Sequence, residues 1–188
     1  AVGDSSGDAL TTGTDNTFVG NNSGGATTTG ANNVAIGSAA LDGNTTASDN
    51  IAIGINALGA LNTSSNNVAI GTGALDANTS GSGVAVGKDA LGANTTGGSN
   101  TAVGYAALTA NTTASNNVGI GASALASNTT GTENIALGAA AGDAITEGNY
   151  NIAIGHNALT SDTLGSRSVA VGRHALETQN FTTATSVY

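Results

Sequence analysis

The chain has no proline, cysteine, methionine or tryptophan, and only five of its 188 residues are aromatic. Lack of cysteine excludes a disulfide scaffold, while leaving the redox compartment open. Lack of large side chains excludes a thick globular core: the apolar content is mostly alanine with some valine, isoleucine and leucine, enough for a core one or two side chains wide. Positive charge is nearly absent. Lys88, Arg167 and Arg173 are the only cations and the formal net charge is −9. Nucleic acid is therefore excluded as a partner, because phosphate binding needs clustered Lys and Arg, and an anionic membrane surface is disfavoured by the same sign. No apolar run approaches the ~18 residues of a spanning helix, so no membrane insertion is expected.

What the chain does have is a repeat. Val-Ala-Ile-Gly, or a near copy, recurs throughout, closing on Gly3, Gly20, Gly37, Gly54, Gly71, Gly87, Gly104, Gly121, Gly138, Gly155 and Gly172. Successive glycines are 17 residues apart, except for the 16 between Gly71 and Gly87. A fixed short period is the mark of a quasi-one-dimensional stack whose units touch only their neighbours. Residues 1–188 are accordingly read as one continuous array without a linker.

Three residues before the glycine stand Val34, Ile51, Val68, Val84, Val118, Ile135, Ile152 and Val169, with Thr17 and Thr101 as polar exceptions. One residue before it stand Val19, Ile36, Ile53, Ile70, Val86, Val103, Ile120, Leu137, Ile154 and Val171. Between these columns sits alanine, except at Phe18 and Gly119. This is the period-two pattern of a very short strand. The branched pair is expected to face inward, leaving Ala35, Ala52, Ala69, Ala85, Ala102, Ala136, Ala153 and Ala170 as a smooth outward strip for lateral or trimeric packing.

After the glycine comes Ala-Leu, as at Ala74-Leu75 and Ala107-Leu108, which reads as a second short strand or a corner closing the core. The leucine is replaced by Gly7, Gly24 and Gly142 in three rungs. The remainder is polar turn. Asn44, Asn78, Asn94, Asn111 and Asn128 fall seven after the glycine, followed by Thr-Thr or Thr-Ser. A second column, Asn16, Asn33, Asn50, Asn67, Asn100, Asn117, Asn134 and Asn151, falls thirteen after it. Asparagine suits tight corners because it tolerates left-handed backbone angles and bonds nearby main-chain groups. Stacked at the strand spacing, the second column is expected to form a hydrogen-bonded ladder that fixes rung register.

Seventeen residues cannot hold two helices and a turn, and glycine with β-branched residues at fixed sites opposes helix. The fold class expected is all-β: a parallel β-solenoid of about eleven rungs, ~50 Å long at ~4.8 Å per rung.

The segment Asn67-Val68-Ala69-Ile70-Gly71, followed by Ala74-Leu75, resembles the head repeats of trimeric autotransporter adhesins. Asn100-Thr101-Ala102-Val103-Gly104 is similar to longer Asn-Thr-Ala-Val-Gly repeats of bacteriophage tail-fibre and bacterial surface proteins. The resemblance spans practically the whole chain. For the adhesin family it implies a left-handed parallel β-roll, trimeric and displayed outside the cell. These rungs are longer than the adhesin head repeat, and this chain shows no heptad stalk, neck or membrane anchor.

Little in the chain points to chemistry. His156 and His174 fall on adjacent rungs without a third histidine or a cysteine, so no metal, cofactor or catalytic residue is assigned. Acidic residues such as Asp42, Asp76, Asp89, Glu133 and Glu147 are scattered over turn positions, which suits solvation of a rod. Thr11, Thr28, Thr45, Thr79, Thr95, Thr112, Thr129, Thr146 and Thr163 form a column eight after the glycine. That column gives the alternative reading, an ice- or glycan-binding module. Asn-Thr-Thr and Asn-Thr-Ser also match the glycosylation sequon at six sites.

The expected function is an extracellular structural or adhesive fibre without catalysis: a shaft, head or self-assembling filament subunit on a cell or virion surface, with a host-surface or glycan ligand in its adhesive form. A homo-oligomer is expected, end-to-end or trimeric. The chain starts at Ala1 rather than methionine, and Ser186-Val187-Tyr188 repeats the strand position of Val169-Ala170-Val171. The first observation suits a processed secreted protein or an excerpt of a longer one. The second suits end-to-end association of rods with uncapped ends.

Overall fold

A computed structural model of the chain, describing residues 1–181 and 183, is a parallel β-solenoid with no helix among the described residues. Ten short strands, β1 (Thr17–Val19), β2 (Val34–Ile36), β3 (Ile51–Ile53), β4 (Val68–Ile70), β5 (Gly83–Val86), β6 (Asn100–Val103), β7 (Val118–Ile120), β8 (Ile135–Leu137), β9 (Ile152–Ile154) and β10 (Val169–Val171), follow one another in sequence order in a single sheet. Neighbours pair in parallel and in exact repeat register, Val34 with Ile51, Ala35 with Ala52 and Ile36 with Ile53. Val2 adds a bridge to Val19. The Ser186–Tyr188 strand expected from the sequence lies outside the described residues.

The strands face the opposite way from the expectation. Ala35, Ala52, Ala69, Ala85, Ala102, Ala136, Ala153 and Ala170 are all buried, none more than 1% exposed, and the branched residues beside them point outward. The alanines are core, and they form no packing strip on the surface. The reason is core width. Across the thin interior stand fully buried leucines, among them Leu58, Leu75, Leu108 and Leu125. At Gly119, the one glycine in the alanine column, even a Cβ would sit 3.2 Å from Leu108 Cγ and 3.1 Å from the Ala124 carbonyl oxygen. A methyl group fits this space and a branched side chain does not.

Exceptions to the pattern compensate one another. Phe18 replaces an alanine in the core at 2% exposure. Its ring occupies the space vacated where Gly7 and Gly24 replace leucine: a Cβ at Gly24 would meet Phe18 Cε1 at 2.6 Å, and one at Gly7 would meet Cδ2 at 2.7 Å. Gly142 is likewise matched by buried Ile145, whose Cδ1 lies 3.0 Å from a Cβ built at the glycine.

The Ala-Leu segment is a corner rather than a second strand. Its leucines adopt left-handed backbone angles, with φ of 52° at Leu58 and Leu108. This costs on the order of 1–2 kcal/mol per residue, and burial of the leucine side chain, worth ~1.5–3 kcal/mol, offsets it. The corner also stacks: Leu41 N–H donates to the Ala57 carbonyl at 2.9 Å and Leu58 N–H to Ala74 at 3.0 Å. In the 16-residue rung Gly83 takes the ladder position, and a shallow groove of about 420 Å³ opens there, lined by residues including Ser65, Ser82, Ser99 and Thr101.

Candidate functional site

The sequence singled out the asparagine column, the threonine column and the alanine strip; the alanines are buried, and the fold presents the outer face of the sheet in their place.

The asparagines thirteen after the glycine are turned into the rod just before each strand. Asn33, Asn50, Asn67, Asn100, Asn117, Asn134 and Asn151 are buried, and Asn16 is half-buried. Each side-chain oxygen accepts the backbone N–H of its counterpart one rung on: Asn33 to Asn16, Asn67 to Asn50, Asn117 to Asn100, Asn134 to Asn117 and Asn151 to Asn134, all at 2.9 Å, with Asn50 to Asn33 at 3.0 Å. The amide nitrogens donate to carbonyls of the adjacent turn, Asn100 to Ala114 at 2.7 Å and Asn117 to Gly131 at 2.8 Å. A single side chain thus ties two rungs through two different backbone groups, and a slip in register breaks both. At the short rung Gly83 N–H still donates to Asn67 at 2.9 Å but offers no side chain to continue the series.

The column seven after the glycine is a second internal ladder. Asn44, Asn78, Asn94, Asn111 and Asn128 are buried. Asn94 Nδ2 donates to Asn78 Oδ1 at 3.2 Å, Asn111 to Asn94 at 2.8 Å and Asn128 to Asn111 at 3.1 Å. The next rung presents Ile145, and Asn128 Oδ1 is left buried without a hydrogen-bond partner. Burial also disposes of most sequons. Five of the six asparagines, Asn44, Asn78, Asn94, Asn111 and Asn128, are inside the rod, and Asn62 is exposed.

Losing a buried amide partner costs ~1–3 kcal/mol. Asn117→Ala is expected to destabilise the rod by that amount, whereas Thr113→Ala, at an exposed turn position, is expected to change stability by less than ~0.5 kcal/mol. Equal urea midpoints for the two variants would show that the ladder does not hold the rungs.

The threonine column forms, but its hydroxyls are engaged within the stack. Thr28, Thr95, Thr129 and Thr146 donate through Oγ1 to the carbonyl of the threonine one rung on, at 3.0–3.1 Å. These hydroxyls hydrogen-bond the turn backbone of the next rung.

The two histidine rings lie edge to face, 5.6 Å apart at their centroids, and His174 Nδ1 is 2.9 Å from Glu177 Oε2. Asp162 is buried elsewhere, accepting from Gly165 and Phe181 N–H at 3.0 Å, and Asp143 accepts from Thr160. Among the described residues no group of three or more His, Cys, Asp or Glu is placed to hold a metal ion. Asp89 pairs with Lys88. The Asp76 carboxyl titrates above its ordinary range, chiefly because it is partly buried and secondly because Asp89 is near.

The outer sheet face is the feature the sequence reading placed wrongly. Val19, Ile36, Ile51, Ile70, Val84, Ile120 and Ile135 are 36–41% exposed, and Val169 and Val171 exceed 60%. Val34, Ile53, Val68, Val103, Val118 and Ile152 are half-buried between them. Together they make two parallel columns of aliphatic side chains over ten strands, a strip ~45 Å long. Scattered exposed valines need no explanation, but a contiguous aliphatic strip of this length is uncommon on the surface of a soluble monomer. A signal for the facing was present in the sequence: the inner position accepts almost only alanine, while the outer ones vary among Val, Ile, Leu and Thr.

No family model, curated protein or solved structure matches the chain.

Proposed function

We propose that the protein is a non-enzymatic structural subunit of an extracellular fibre, a shaft, head or filament element, which associates with further copies of itself through the Val/Ile face. The observation that carries this reading is the contiguous aliphatic strip on a single ten-stranded face. A repetitive, flat face offers the same chemistry at every rung, and a second identical face is the surface that matches it over its whole length. The resemblance to trimeric autotransporter adhesin heads and tail-fibre repeats supports the same reading and the surface location.

The mechanism is geometric. Stacked rungs satisfy each other's backbone groups and asparagines, so the rod is stiff without a thick core, and its outer face is left free for assembly. Light scattering on the purified protein is expected to show an oligomer. The double variant Ile70→Lys, Ile120→Lys is expected to be monomeric with an unchanged circular dichroism spectrum, because both side chains project outward. A wild-type protein that stays monomeric at high concentration overturns this reading.

A further inference from the structure

We infer that the partner on the Val/Ile face is a second copy running antiparallel to the first, related by a two-fold axis that passes between β5 and β6. This rests on the reading of that face as a self-association surface, and adds the direction of the partner.

The observation is the charge along the two edges of the face. One edge is the column that precedes the ladder asparagines, and the other is the residue directly after each closing glycine. Both are outward: Asp4, Asp15, Asp49, Glu133, His156, Arg167 and Arg173 are all exposed. Neighbours along an edge touch: Asn32 Nδ2 donates to Asp49 Oδ1 at 3.1 Å, the Arg167 guanidinium lies 5.8 Å from the Tyr150 ring centroid, and Lys88 Nζ lies 5.7 Å from that of Tyr105. The edges are acidic at one end of the rod, with Asp4, Asp15 and Asp49, and carry Arg167, Arg173 and His156 at the other. Acidic residues are split evenly, six before position 88 and six after it, but every Lys and Arg stands at position 88 or beyond, so the first half carries no cation and the second carries three.

In a parallel face-to-face pair, opposite edges meet at the same level. Arg167 then faces Arg173 of the other copy, and the acidic halves lie side by side. In the antiparallel pair β1 lies over β10 and like edges meet. Asp15 then faces Arg167 twice per pair, and Lys88 faces Tyr105. One kind of like-charge contact arises, Asp49 with Glu133, and it too occurs twice per pair. The column next to the glycines fits this order at equal size, Val19 meeting Val171, Ile36 Ile154, Ile70 Ile120 and Val86 Val103. In the other column Ile51 meets Ile135 and Val68 meets Val118, while Thr17 meets Val169, Val34 meets Ile152 and Val84 meets Thr101. Face plus edges measure ~45 by ~16 Å, about 700 Å² per copy, close to the ~800 Å² per partner of a standard stable interface.

The chain has no cysteine, so single spin labels can be placed cleanly. With Asn21→Cys labelled, the antiparallel pair is expected to give a dipolar distance of ~43 Å or more, since the two labels stand nine rungs apart. With Thr72→Cys labelled, near the middle, it is expected to be below ~25 Å. Arg167→Asp should raise the dissociation constant about fivefold at low salt. Adding Asp15→Arg should restore it, and Glu133→Lys alone should tighten association. An oligomer in which both labels report distances below ~25 Å overturns the antiparallel arrangement and leaves self-association standing. No oligomer at all overturns both. Failure of Asp15→Arg to rescue Arg167→Asp overturns the charge pairing.

Discussion

Replacing Gly104 by alanine is expected to destabilise the rod by at least ~3 kcal/mol. The closing glycine of every rung has a positive φ, +138° at Gly104, where an L-side chain is strained. Space is also lacking. A Cβ at Gly104 would lie 2.5 Å from the Gly121 carbonyl oxygen, and the same clash recurs from Gly20 onto Gly37 and from Gly121 onto Gly138. The obstruction is backbone of the next rung, which cannot move without losing its own stacking bonds. Gly98 is the control. Its φ is not in the positive region and an added Cβ comes no nearer than 3.7 Å to Ser82 Oγ, so Gly98→Ala should shift stability by less than ~0.5 kcal/mol. Urea denaturation of the two variants side by side measures the difference. Similar midpoints would mean that the rungs do not stack glycine on glycine.

The second large effect separates two adjacent residues. Ala102→Glu is expected to abolish folding, because Ala102 is fully buried and a carboxylate there has neither room nor a partner. Val103→Glu, one residue on and half exposed, is expected to leave the circular dichroism spectrum intact and to reduce assembly. The pair inverts the outcome expected from inward-facing branched residues, under which the alanine change would spare the fold and the valine change destroy it. If Ala102→Glu folds normally while Val103→Glu does not, the strand facing described above is wrong.

Much of the architecture is legible in the residues. The spacing of the closing glycines gives the rung length, Val-Ala-Ile gives the strand, and the shortened rung near Gly83 is visible as a missing residue. The asparagines at Asn117 and Asn134 stand where a ladder needs them. Which strand face turns inward was not legible from hydrophobicity, because alternation defines two faces without ranking them. The ranking comes from the leucine across the core. Leu108 reaches so far that only a methyl or nothing fits opposite it, and the larger side chains are driven outward. Asn44 and Asn111 were read as corner formers for a related reason. A buried amide and an exposed one share the same turn preference, and only the stack shows that these amides bond one another. Phe18 with Gly7 and Gly24 is a three-residue size exchange across two rungs, which becomes visible once the register is known.

The proposed self-association requires an aliphatic face that is open on a single rod and covered in the assembly. Hydroxyl-radical footprinting of the wild type and of the Ile70→Lys, Ile120→Lys variant tests this at single residues. In the variant, Ile36, Ile51 and Ile135 are expected to be oxidised readily, while Leu58, Leu75 and Leu108 are protected. In the wild-type assembly the same isoleucines are expected to be protected and the leucines unchanged. Isoleucines that are protected in the monomeric variant, or oxidised equally in both proteins, would contradict the account.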